Sequence, residues 1–234
     1  MASMPSVAAT GGISIKRLIL TAIAAAVIGA GGAQAQTYRE IYDKCETTNQ
    51  KPADRVKNCD VALGRAQPDA KADRAMILLY RSTANLDIKA YDASIKDADE
   101  AALLLPRHLE SQNQRCWTRG VANKDIAVGR GACDIALDIS RSNCGVWDSS
   151  GLIALREGKW DRAWADYNEA VRIEPNHTSS FYGRGLAALA IGKTAESDAD
   201  LKKAASSAAE YKGYGLTPET AKKRVAATPA PAAN

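Results

Sequence analysis

Five cysteines and two histidines are the residues of this chain best suited to chemistry, and their spacing fits crosslinking better than catalysis. Cys45, Cys59, Cys116, Cys133 and Cys144 contain no C-x-x-C pair, the spacing a redox-active dithiol uses. His108 and His177 each stand two residues after a proline, one ring per turn, with no second His or Cys beside them. Zinc needs three or four converging ligands, so no metal site is expected. The stretches Gly129-Arg130-Gly131 and Gly183-Arg184-Gly185 lack the Gly-Lys-Ser ending of a phosphate loop. No serine sits in a G-x-S-x-G elbow. These patterns predict no catalytic residue, no metal and no cofactor.

The elements that carry these residues are helices. Phe occurs once and β-branched residues are sparse, while Ala, Leu, Asp, Lys and Arg dominate, a palette for closely packed helices rather than strands. With 234 residues and 46% hydrophobic content the chain can build one continuous core. Self-similarity organises it. Trp147, Gly151, Ala154, Gly158, Asp166 and Ala170 recur 34 residues later as Phe181, Gly185, Ala188, Gly192, Asp200 and Ala204. Gly158 and Gly192 separate two apolar-periodic halves, so each copy divides into two helices. An earlier copy has Ser82, Asn85, Ser94, Ala101 and Pro106 standing 69 residues before Gly151, Ala154, Ala163, Ala170 and Pro175. Between them lies a copy about three residues short in its middle: residues 116–120 match 181–185, and 133–137 match 167–171. Residues 59–63 repeat 133–137 and mark a degenerate first copy starting at Tyr38. Five helix pairs result, from 38 to about 211. Thr217-Pro218-Glu219-Thr220 opens a closing helix to about Ala226.

Residues 1–35 read as a signal peptide. Lys16 and Arg17 precede an uncharged run from Leu18 to Ala30, and Ala33-Gln34-Ala35 supplies a small-x-small cleavage site. The run is shorter than the roughly 20 residues of a membrane span. Cleavage after Ala35 predicts a periplasmic or secreted protein without a membrane span, folded over 36–226, with an Ala/Pro tail at 227–234 too poor in apolar bulk to fold. Loss of Lys16 and Arg17 leaves 29 basic against 27 acidic residues, interleaved along the helices. That arrangement excludes the clustered basic face of a nucleic-acid binder.

An oxidising compartment makes the cysteines candidates for pairing. In an antiparallel hairpin the numbers of facing residues have a constant sum. A tight crossing of Gly151 and Ala163 also sets Trp147 opposite Tyr167, and Cys116 and Cys133 occupy those two slots in the third copy. Cys45 and Cys59 hold the comparable place in the first copy, around a turn at Lys51-Pro52-Ala53. Two disulfides, Cys45–Cys59 and Cys116–Cys133, are therefore expected. Cys144 is left over, as a buried free thiol or, alternatively, an intermolecular bridge. Arg81, Arg119 and Arg184 recur on first helices and Asp97, Asp166 and Asp200 on second helices, so repeated structural ion pairs are expected.

The pattern of a bulky residue, a small one, Ala, an aromatic, another Ala and a terminal Pro resembles the tetratricopeptide repeat family, of an exported bacterial type. Residues 144–177 carry it best, with Trp147, Gly151, Ala154, Tyr167, Ala170 and Pro175. The resemblance covers most of the chain beyond residue 35. It departs from the pattern where Pro is lost at the ends of the first, third and fifth pairs. It implies an all-α, right-handed solenoid of about five antiparallel helix pairs with a C-terminal capping helix. It also implies a non-catalytic interaction scaffold whose concave groove, lined by first helices, binds a peptide or protein segment. The expected lining is Leu79, Trp117, Asp148, Leu152, Arg156, Tyr182 and Leu186. Trp117, Asp148 and Tyr182 each follow a core residue by one, which turns them onto the inner face, where exposed aromatics would serve as hot spots. The partner is an unidentified protein or peptide, and the oligomeric state is open. Two alternatives remain: a structural, self-assembling protein whose groove is filled by its own tail or a second copy, and a thiol-redox partner centred on Cys144.

Overall fold

The structure, a computed structural model, describes residues 37–227, without the side chains of 224–227. The expected signal peptide and the tail beyond 227 lie outside the described residues.

Five antiparallel helix pairs follow one another: α1 (37–46) with α2 (Pro52–Arg65), α3 (Lys71–Asp87) with α4 (Tyr91–Leu104), α5 (Leu109–Ala122) with α6 (Ile126–Ile139), α7 (Cys144–Glu157) with α8 (Trp160–Ile173), and α9 (Thr178–Ala190) with α10 (Thr194–Lys203). A 3-10 turn at Ala205–Ser207, a short α11 (Ala208–Gly213) and α12 (Pro218–Ala227) complete the chain. No strand occurs among the described residues. From α2 to α10 each helix packs on its successor, and the first helices of neighbouring pairs also touch, α3 with α5, α5 with α7 and α7 with α9. First helices therefore line the inner side, and the architecture is an all-α helical-repeat solenoid.

The breaks fall where backbone chemistry requires them. Gly158 and Gly192 lie between the helices of the fourth and fifth pairs with φ of 71° and 81°, a left-handed conformation that costs glycine nothing. The shortened third pair makes its turn differently: Asn123 and Asp125 take φ of 53° and 46°, which short polar side chains tolerate better than others. Asn143 caps α7 by accepting a hydrogen bond from the Val146 amide at 3.2 Å. Thr217 and Thr220 cap α12 reciprocally, each hydroxyl accepting from the other's amide.

Two local expectations need correction. The second helix of the fifth pair stops at Lys203 rather than near 211, because the chain bends through Ala205–Ser207 and carries Tyr211 into full burial. Serine competes with helical bonding through its own side chain, which makes that stretch an easy place to break. Pro52 is not part of the first turn; it starts α2, where its missing N–H costs nothing. Tyr167 also closes on Gly151: a Cβ there would lie 2.7 Å from Tyr167 Cδ2. The crossing expected of Gly151 and Ala163 is seen directly at the equivalent positions two pairs earlier, where the buried Ser82 and Ser94 hydroxyls stand 3.0 Å apart.

Disulfides join Cys45 to Cys59 and Cys116 to Cys133, with Cα atoms 4.6 and 5.2 Å apart. The ion-pair ladder forms at both ends and is rerouted in the middle. Arg81 grips Asp97 at 2.6 Å and Arg184 grips Asp200 at 2.7 Å. The third copy has Ala132 where the second, fourth and fifth have Asp, so Arg119 reaches back to Asp99 on α4 at 2.8 Å. The fourth copy has Ser150 in the arginine slot; Ser150 donates to Asp166 at 2.6 Å, and Arg130 from the preceding pair donates to Ser150 at 2.7 Å.

Candidate functional site

The largest core cluster lies toward the C-terminal end of the inner side, and the chain's own last segment takes part in it. Leu152 of α7 and Tyr182 and Leu186 of α9 pack with Tyr211, Leu216 and Ala221, and Trp117 of α5 and Tyr214 border the cluster. The Tyr182 and Tyr211 rings stand 4.8 Å apart, and Tyr214 meets Trp117 at 6.1 Å with the rings at 85°. Arg156 fixes the segment's backbone by donating to the Tyr214 carbonyl at 2.9 Å and to the Gly120 carbonyl at 2.7 Å. Segment 208–216 thus crosses the inner side from the fifth pair back to the third.

Five of the seven expected lining residues are gathered here. Leu152 and Leu186 are buried, Tyr182 is 5% exposed, and Trp117 and Arg156 remain half-buried. The expectation that Tyr182 presents an exposed aromatic is corrected: Tyr211 covers it. Leu79 does not join the others. It packs with Leu78, Ala101 and Leu104, because α3 turns that position toward α4. The residues the sequence reading missed are Tyr211, Tyr214 and Leu216. Their signal was present as three bulky residues interleaved with Gly213 and Gly215, at and just beyond the end of the last copy of the repeat.

Asp148 is buried where α7 meets the next first helix. It accepts from Ser180 at 2.6 Å and Ser179 at 3.2 Å, with His177 Nδ1 at 3.7 Å. Burial pushes its carboxyl above the usual carboxylate range, against the lowering effect of the two hydroxyls and His177. The group resembles a catalytic triad only by residue type. His177 Nδ1 meets Ser180 at 2.7 Å and His108 Nδ1 meets Ser111 at 3.0 Å in the same place at the start of α5, so the pair is a recurring helix-start bond.

Cys144 is free, half-exposed rather than buried, and donates to Glu174 Oε2 at 2.9 Å. Burial, with the Glu174 carboxylate beside it, pushes the thiol up to about 11. A thiol so protonated at neutral pH is a poor nucleophile. No group of three or more His, Cys, Asp or Glu residues that could hold a metal occurs among the described residues, and no described helix is long and apolar enough to cross a membrane.

No family model and no curated protein sequence matches the chain. Solved structures do. A MamA double mutant of strain RS-1 aligns over 74% of this chain and 93% of its own, with a TM-score of 0.58 and 12% identity. A MamA chain from Desulfovibrio magneticus RS-1 aligns over 73% and 90%, with a TM-score of 0.56 and 12% identity. Another MamA crystal structure aligns over 80% and 98%, with a TM-score of 0.55 and 19% identity. Identity at this level speaks for architecture alone. In fold, this chain is a tetratricopeptide-like helical repeat.

Proposed function

We propose that the protein is a non-catalytic interaction scaffold of the cell envelope, exported by residues 1–35, that receives a protein or peptide segment on its inner side. The observation that carries this reading is segment 208–216 itself. The inner side already holds a stretch of polypeptide through tilted and edge-on aromatic contacts and an arginine on a main-chain carbonyl, which are the contacts a bound peptide would make. Partner contact falls on the part of the inner side the segment leaves open, around Trp117. Affinity capture from the native envelope fraction, comparing wild type with Trp117→Ala, tests it. Loss of a co-eluting, cross-linkable protein is expected, and equal recovery from both would count against the reading.

The same segment favours a second reading, in which it closes the inner side for good and the protein is a structural, self-packing element. Light scattering across concentration separates the two: a concentration-dependent dimer without a foreign partner supports self-packing. The thiol-redox reading loses ground to the protonated state of Cys144.

A further inference from the structure

The inner side is not filled everywhere. A cavity of about 370 Å³ remains between the α3–α4 turn, α5 and α11, lined among others by Asp87, Lys89, Tyr91, Trp117, Glu210 and Tyr214. We propose that this cavity takes a cationic side chain, lysine or arginine, from the segment bound by the scaffold. The inference rests on the interaction reading above and deepens it.

The walls supply the first argument. Trp117 and Tyr214 stand at 85° to each other, forming a corner of aromatic surface, and Tyr91 adds a third ring to the lining. Aromatic faces attract a cation within about 6 Å. The rim supplies the second. Asp87 and Glu210 come from elements far apart in sequence, yet both line this cavity, and Asp87 is raised above the usual carboxylate range by burial first, with the Glu210 charge adding to it. Asp87 has no hydrogen bond or salt bridge among the described residues. Arg55, which acts on it in the opposite sense, donates to the carbonyls of Cys45 at 2.9 Å and Glu46 at 3.1 Å. Among the described residues Glu210 accepts only from the Tyr214 hydroxyl, at 2.6 Å, through Oε1. Lys89 lines the same cavity, and among the described residues it forms no ion pair with either carboxylate. Two carboxylates and three rings thus face one space in which, among the described residues, no cation stands within ion-pair distance of either carboxylate. A small domain gains nothing in stability from holding like charges together, and a transient cation would relieve that repulsion.

The test uses the purified, ¹⁵N-labelled protein and three blocked Ala-Ala-X-Ala-Ala peptides with lysine, arginine or norleucine at X. The probe is the Trp117 indole N–H resonance, assigned with Trp117→Phe. Saturable shifts are expected with lysine or arginine and binding about tenfold weaker with norleucine. Asp87→Asn, at an exposed position, should weaken the cationic peptide several-fold, and Lys89→Ala should tighten it. Equal binding of norleucine, or indifference to Asp87→Asn, overturns the cation site while leaving a general peptide groove standing. Silence with all three peptides also overturns it, and the capture experiment then decides the scaffold reading by itself.

Discussion

The first and third helix pairs and the fourth and fifth solve the same packing problem by different means. Around Cys45–Cys59 the core is Ala62, Ala66 and Ile77, and around Cys116–Cys133 it is Ala132 and Ile153. These are small clusters, and each is crossed by a covalent bond. The fourth and fifth pairs have no disulfide and share one large cluster built on Tyr167, Phe181, Tyr182 and Tyr211, fitted against Gly151 and Gly183. A pair that buries little apolar area gains from a crosslink that restricts its unfolded state, whereas a pair that buries whole aromatic rings does without one. The C-terminal pairs obtain part of that area from segment 208–216, so the same residues that stabilise them occupy the inner side.

The largest expected effect would break the aromatic half. Tyr211→Ala removes a fully buried ring and should cost about 3–5 kcal/mol, read by denaturant unfolding; a loss below about 1 kcal/mol would mean that the segment only rests on the surface. Next comes the stapled half. Replacing Cys116 and Cys133 by Ser should cost about 3 kcal/mol for its short loop, and the thermal midpoint should fall on reduction of wild type but not of a variant lacking all four paired cysteines. Gly183→Ala sharpens the contrast on the aromatic side. Its methyl would fall inside the Tyr167 ring, so overpacking of about 1–3 kcal/mol is expected, whereas Gly131→Ala in the third pair, with open space around it, should change little.

The smallest effect concerns the junction between the fourth and fifth pairs. The Asp148 carboxyl is raised in the folded state, so it contributes stability that is fully present below the unfolded carboxylate value and is lost as pH rises through the folded one. Wild type should therefore lose stability relative to Asp148→Asn as pH is raised from acidic toward neutral. A difference between the two that is flat with pH would show that Asp148 ionises in the folded state as it does in the unfolded chain.

Much of this was legible in one dimension. Regular spacing of Gly, Ala and Pro marks helix pairs because antiparallel helices approach closely only where side chains are small, and Gly158 and Gly192 turn because only glycine adopts left-handed backbone without cost. The rerouted ion pairs were less legible. Arg119 has a copy-equivalent elsewhere, but its partner is chosen by whichever carboxylate a neighbouring helix offers, and a 34-residue alignment carries no record of that.

The sequence by itself determined the helix pairs, their small-residue crossings and the two cysteine couples, since each depends on contacts within one hairpin, where numbering and geometry are tied together. Only the tertiary structure decided that segment 208–216 folds back over the inner side, that Tyr182 is covered while Trp117 stays half-open, and that Asp87 and Glu210 share one cavity. Those contacts join residues up to 123 positions apart, and no local period constrains where a chain goes once its repeats have ended.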